Sequence, residues 1–121
     1  MYESYLDTRG IRDAVTLYPP IDDMNTFYEQ IDYLLHPGMK ETFCYAVGEA
    51  MAKGIKPIVN NFYGAKDIWN SEFLYNTHEE AVKMFYHPGN QKRPDINYRN
   101  YIKENYGLEK YFKETDEYLG I

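Results

Sequence analysis

The chain has 121 residues, enough for one compact domain with an ordinary hydrophobic core, and its 44% hydrophobic and 26% charged residues are typical of soluble globular domains. A net charge of -6 argues against a protein that grips a nucleic-acid backbone, and the single Cys44 rules out an internal disulfide or a cysteine-rich zinc site. No apolar run reaches the ~18 residues of a membrane-spanning helix, and the polar start, Met1 to Gly10, does not resemble a secretion signal, so a cytoplasmic domain is expected.

In chain order, Val15 to Tyr18 is rich in β-formers and is stopped by Pro19 and Pro20, which predicts a strand. Asp22 or Asp23 can cap a following helix that carries Met24, Phe27, Tyr28 and Ile31 at three- and four-residue spacing. Tyr33 to His36 is a continuous apolar run ended by Pro37 and Gly38, as in a buried strand. The expectation up to this point is a β-α-β unit.

A second unit follows. Phe43 to Lys53 has helical periodicity, with Phe43, Val47 and Met51 on a core stripe and Gly54 where a C-cap is wanted, and Lys56 to Val59 reads as the next strand. Asn60 to Gly64 reads as a loop, Ala65 to Trp69 as one helical turn and Phe73 to Tyr75 as a small strand. Thr77 and Glu80 have capping-box spacing at the head of a helix through Phe85. His87 to Arg93 reads as a loop, Pro94 opens a helix reaching Tyr106, and Leu108, Tyr111, Phe112, Tyr118 and Leu119 form an apolar stripe on a helical tail. Tyr98, Tyr101 and Tyr106 are read as packing residues. The alternation predicts an α/β fold, a parallel sheet with helices on its faces and C-terminal helices beyond it.

Chemistry concentrates between His36 and Gly64. Glu41 and Glu49 are carboxylates separated by seven residues. A helix starting near Thr42 or Phe43 would aim its first amides into the loop at the C-terminal edge of a strand, where such sheets bind ligands and where a phosphate is favoured. On one ideal helix the two glutamates would stand about 12 Å apart along the axis at 1.5 Å per residue, comparable with the span from a sugar across a diphosphate to a ribose. Carboxylates repel phosphate, so each is suited to neutral hydroxyls, through charge-assisted hydrogen bonds. A pair of hydrolytic carboxylates would sit about 5 to 9.5 Å apart across one bond, a poorer fit to this spacing.

The run His36-Pro37-Gly38-Met39-Lys40-Glu41-Thr42-Phe43, then Gly48-Glu49-Ala50-Met51-Ala52-Lys53-Gly54, Pro57 and Gly64-Ala65, resembles the Glu-x-seven-Glu region of the group 1 (family 4) retaining glycosyltransferases. The likeness continues more weakly from about Gly10 to Phe85 and through Tyr98 to Leu108. It implies a Rossmann-like fold, residues 1–121 being a single partial C-terminal, nucleotide-sugar-binding domain of a GT-B enzyme that transfers a hexose with retention. It further implies that Glu41 acts catalytically at the donor hexose, that the amides of Thr42, Phe43 and Cys44 meet the sugar and diphosphate and that Glu49 holds the ribose hydroxyls; Lys40, beside Glu41, reads either as a phosphate-approaching substrate-binding residue or as a simply exposed one. The implied partner is a UDP-, GDP- or ADP-linked sugar, without metal or cofactor. Gly38 replaces a common Ser, and Thr42 and Cys44 replace glycines, placing Cβ atoms where the donor comes close. The family's acceptor-binding domain and the Gly-rich, basic first part of its C-terminal domain have no counterpart here, so catalysis is expected to need a missing N-terminal domain or partner chain. The alternative function is a non-catalytic nucleotide-sugar-binding or protein-interaction module.

Overall fold

The computed structural model describes residues 2–40, 43–85 and 96–107, together with Glu109, Lys113, Glu114, Asp116, Glu117 and Gly120. Helix α1 spans Tyr2–Arg9 and α2 spans Met24–Glu29; then come β1 (Tyr33–His36), α3 (Tyr45–Ala52), β2 (Lys56–Asn60), α4 (Ala65–Ile68), β3 (Leu74–Tyr75), α5 (His78–Phe85) and α6 (Ile96–Tyr106). The strands form a three-stranded parallel sheet in the order β1-β2-β3. This is the expected Rossmann-like α/β arrangement.

Register decides which residues face which layer. Tyr33 is opposite Lys56, His36 opposite Val59, and Val59 opposite Leu74. Because side chains alternate along a strand, Leu34, Pro57, Val59 and Leu74 share one face, and Tyr33, Ile58 and Tyr75 the other. On the first face, Val59 is buried with Val47 and Met51 of α3, Phe62, Ala65 and Trp69, and Tyr98, Tyr101 and Ile102 of α6 pack against them. On the second, Ile58 and Tyr75 bury against Ala81, Met84 and Phe85 of α5. The central strand is covered on both faces, which is why Pro57-Ile58-Val59 is continuously apolar and fully buried.

Side chains of adjacent strands hydrogen-bond to the last described residues of α5. Tyr33 donates from its hydroxyl to the Phe85 carbonyl (3.1 Å), and its register partner Lys56 donates from Nζ to the Met84 carbonyl (2.7 Å). At the other end of α5, the Glu80 amide donates to Thr77 Oγ1 (3.2 Å), and Glu80 reaches back to accept from the amide of Asn76, one residue earlier than a standard capping box.

The tyrosines of α6 act as packing residues with wet tips. Tyr101 and Tyr106 both donate to the Ile68 carbonyl at the end of α4, and Tyr101 also accepts from the Asn70 amide (3.2 Å). Their rings close around Trp69, whose centroid lies 5.2 Å from Phe43 and 5.8 Å from Tyr106.

Two expectations are corrected. Val15 to Tyr18 is not a strand: Val15 has extended backbone, but the segment joins no ladder and Val15, Leu17 and Tyr18 are exposed. The first β-α-β unit is therefore absent among the described residues, and the sheet begins at β1. The polar N-terminus instead forms α1, with Arg12 placed 3.3 Å from Asp7 and 3.9 Å from Glu3 to hold the following turn. The loop expected at His87 to Arg93, the Pro94 start and the apolar tail stripe lie outside the described residues. The tail residues that are described, Glu109, Lys113, Glu114, Asp116 and Glu117, have helical backbone and exposed side chains.

Candidate functional site

All three strands end at one edge of the sheet, and the loops leaving it are tied together by asparagines. Asn60, the last residue of β2, donates from Nδ2 to the Gly38 carbonyl in the loop after β1 (3.1 Å). Asn61 donates from Nδ2 to Asn76 Oδ1 (2.9 Å) and from its amide to the Tyr75 carbonyl (2.9 Å), joining the loops after β2 and β3. Gly64 turns the chain into α4 at φ +89°, a left-handed conformation that side chains disfavour. Its conformation accounts for Gly64 as a turn residue.

Helix α3 rises from the same edge. Cys44 is its N-cap, and the cap carbonyl accepts from the Gly48 amide (3.3 Å). The helix thus opens at Tyr45, later than the Thr42 or Phe43 expected. The ideal-helix spacing of Glu41 from Glu49 does not apply, since the helix axis starts four residues after Glu41. The amides of Tyr45, Ala46 and Val47 are the ones left without partners inside the helix, and they form its anion-attracting end.

The candidate residues separate as follows. Glu41 and Thr42 lie outside the described residues. Lys40 is exposed in the loop after β1. Phe43 is half-buried, its ring in edge contact with Tyr45 and Tyr106 at 5.3 and 5.0 Å and lying over Gly48. Its side chain is core packing, as the stripe reading required. Cys44 is a free thiol buried in the same cluster, without a side-chain capping bond.

Glu49 is the candidate that the structure sets into a formed surface. It stands four residues past the start of α3, about 6 Å of helix rise. Its Oε2 accepts a hydrogen bond from the Tyr28 hydroxyl at 2.9 Å. Tyr28 is only 3% exposed, its ring buried against Ala50 and Ile55 with Met24, Phe27 and Ile31 around them. Burial, and then the bond to the Glu49 carboxylate, push the Tyr28 phenol up to about 12, so it remains a neutral donor.

Between α2 and α3 a cleft of about 400 Å³ is lined by Asp22, Asp23, Met24, Asn25, Tyr28, Glu49, Ala52 and Lys53. Asp23 is committed to capping α2: its Oδ1 accepts from the Thr26 amide (3.2 Å) and its Oδ2 from the Thr26 hydroxyl (2.6 Å), bonds that hold its carboxyl below the usual range. Asp22 and Glu49 remain as the cleft's other acids, against Lys53 as its base. Such a lining attracts hydroxyl and amine donors and repels phosphate. Among the described residues there is no cluster of histidine, cysteine or carboxylate side chains able to hold a metal ion.

Sequence reasoning placed Tyr28 on an apolar helix stripe and did not connect it to Glu49. The two are 21 residues apart on different helices, so no local spacing joins them. The available signal was chemical: a tyrosine on a core-facing stripe must find a partner for its hydroxyl.

With that geometry in view, comparison with known proteins defines the class. Residues 1–88 match the family described as glycosyl transferases group 1, and the chain belongs to that family. A stretch of 41 residues is 44% identical to the GDP-mannose-dependent alpha-mannosyltransferase of Mycolicibacterium smegmatis (strain ATCC 700084 / mc(2)155). That stretch is 34% of this chain and spans 11% of the length of the mannosyltransferase. No solved structure matches. No helix among the described residues is long and apolar enough to cross a membrane.

Proposed function

We propose that the chain is the donor-binding portion of a retaining GT-B hexosyltransferase, a single partial domain that works with an N-terminal domain or partner chain in the cytoplasm. The observation that carries this reading is Glu49: an exposed carboxylate on the helix that leaves the ligand-binding edge of a parallel sheet, anchored from behind and opening onto an acidic cleft. A nucleoside diphosphate sugar laid along α3 would put its ribose hydroxyls on Glu49. Its diphosphate would lie at the amides that begin the helix, near Phe43, Cys44 and Lys40, and its hexose would extend towards Thr42 and Glu41. The rise of about 6 Å from the helix start to Glu49 suits the distance from a diphosphate to its ribose.

In this arrangement the helix N-terminus and Lys40 contribute to stabilising the departing diphosphate, the main electrostatic demand of glycosyl transfer, while Glu41 contacts the hexose that is transferred to the acceptor. The acceptor and further basic groups would come from the N-terminal domain. The kinship with a GDP-mannose-dependent enzyme makes GDP-mannose the first donor to test.

An NMR titration of the ¹⁵N-labelled chain with GDP, UDP and ADP tests the reading. Shifts centred on Asp22 to Tyr28 and Phe43 to Lys53 with one of the three nucleotides are expected. Shifts confined to other surfaces would refute it.

A further inference from the structure

We propose that Tyr28 is a positioning residue of the donor site: its buried hydroxyl fixes the Glu49 carboxylate in the orientation that reads the ribose diol. The proposal rests on the reading of Glu49 given above and adds to it the residue through which that carboxylate is made specific.

The argument is one of constraint. A glutamate on an exposed helix face is free about three side-chain torsions, and ordering it for a ligand costs entropy at the moment of binding. Here the ordering is done beforehand. The Tyr28 ring is packed among Ala50, Ile55, Met24, Phe27 and Ile31, so its hydroxyl is a fixed point, 2.9 Å from Glu49 Oε2. Ala50 is the immediate neighbour of Glu49 on α3, so the packing that holds the tyrosine ring also sets the helix that carries the carboxylate.

An ionised carboxylate has about four lone-pair positions. One is taken by Tyr28, which leaves three, two on Oε1 and one on Oε2, enough to accept from both hydroxyls of a ribose cis-diol. A phenol held neutral well above physiological pH remains a donor in this pairing. Support of a binding group by a locked neighbour is the general requirement for a precise site.

The test uses the 121-residue chain and its Tyr28→Phe variant, which keeps the ring and removes only the hydroxyl. With ¹³C-labelled glutamate, the γ-methylene protons and side-chain couplings of Glu49 report whether it holds one rotamer. A single rotamer in the wild-type chain that becomes averaged in Tyr28→Phe is expected. Averaging already present in the wild-type chain overturns the proposal, whether or not the variant folds. The second readout is affinity for GDP against 2′-deoxy-GDP. A carboxylate that reads the diol should favour the ribonucleotide about tenfold in the wild-type chain, and Tyr28→Phe should lose most of that preference, weakening GDP more than 2′-deoxy-GDP, which offers the carboxylate only its 3′-hydroxyl. A purely structural role would weaken both nucleotides equally. Full preference kept in Tyr28→Phe overturns the positioning role and leaves the ribose reading standing. No preference in the wild-type chain overturns the ribose reading and the proposal with it.

Discussion

Replacing Gly48 by alanine should stabilise this domain, although the residue is buried where α3 meets both Phe43 and α6. A Cβ at this position would meet Phe43 Cε1 and Cζ at 3.5 Å and Ile102 Cδ1 at 4.0 Å, which is ordinary van der Waals contact. Glycine in a helix interior is worse than alanine by about 1 kcal/mol, and the added methyl is buried on an apolar wall, so Gly48→Ala should gain about 1 kcal/mol. For a domain of this size that is a rise in Tm of about 5 °C. Gly48→Val should do the reverse: its γ carbons would run into the Phe43 ring, and such overpacking costs about 1–3 kcal/mol. Urea unfolding can be followed by the fluorescence of Trp69, the single tryptophan, which is 1% exposed and lies 5.2 Å from Phe43. A loss of stability in Gly48→Ala, or tolerance of valine, would refute the placement of Phe43 over the helix.

Two further outcomes follow from the hydrogen bonds and the buried phenols. Thr77→Ala removes the acceptor of the Glu80 amide at the head of α5 and should cost about 1 kcal/mol, read by the same urea curves, with Thr77→Ser largely restoring it. In alkali, Tyr28 holds its proton up to about 12 in the folded chain, whereas an unfolded tyrosine loses it near 10. The folded state then binds more protons, so the stability due to Tyr28 is fully present below pH 10 and falls as pH rises towards 12, by about 1.4 kcal/mol per pH unit. Burial raises Tyr75, Tyr101 and Tyr106 as well, so Tyr28→Phe should flatten this alkaline loss without abolishing it; an unchanged slope would contradict the burial of the Tyr28 phenol.

How far the fold could be read from the chain differs by element, for physical reasons. The central strand announced itself because a strand covered on both faces must be apolar throughout, and α3 because Val47, Ala50 and Met51 bury in a helical rhythm. Asp23 and Thr77 were legible because capping is local chemistry. Val15 to Tyr18 misled because β-propensity describes a surface waiting for a neighbour. Its backbone is extended at Val15, but a strand exists only through its ladder, and no partner strand stands beside it among the described residues. The start of α3 was set two or three residues early because the apolar stripe includes Phe43, whose ring belongs to the core although its backbone precedes the helix.

The candidate site was legible in part. Glu49 stood out by family resemblance, and the structure supplies what spacing could not: the tyrosine behind it, the asparagine ties between the loops, and a cleft whose walls come from α2 as well as α3. These are contacts between segments distant in sequence, made only once the sheet has ordered the helices.

The decisive measurement is calorimetric titration of GDP into the wild-type chain and into Glu49→Ala. Binding by the wild-type chain that weakens about tenfold or more in the variant, with the fold intact by Trp69 fluorescence, is the expected result. Equal binding by both chains would contradict Glu49 as the ribose reader and, with it, the placement of the donor along α3.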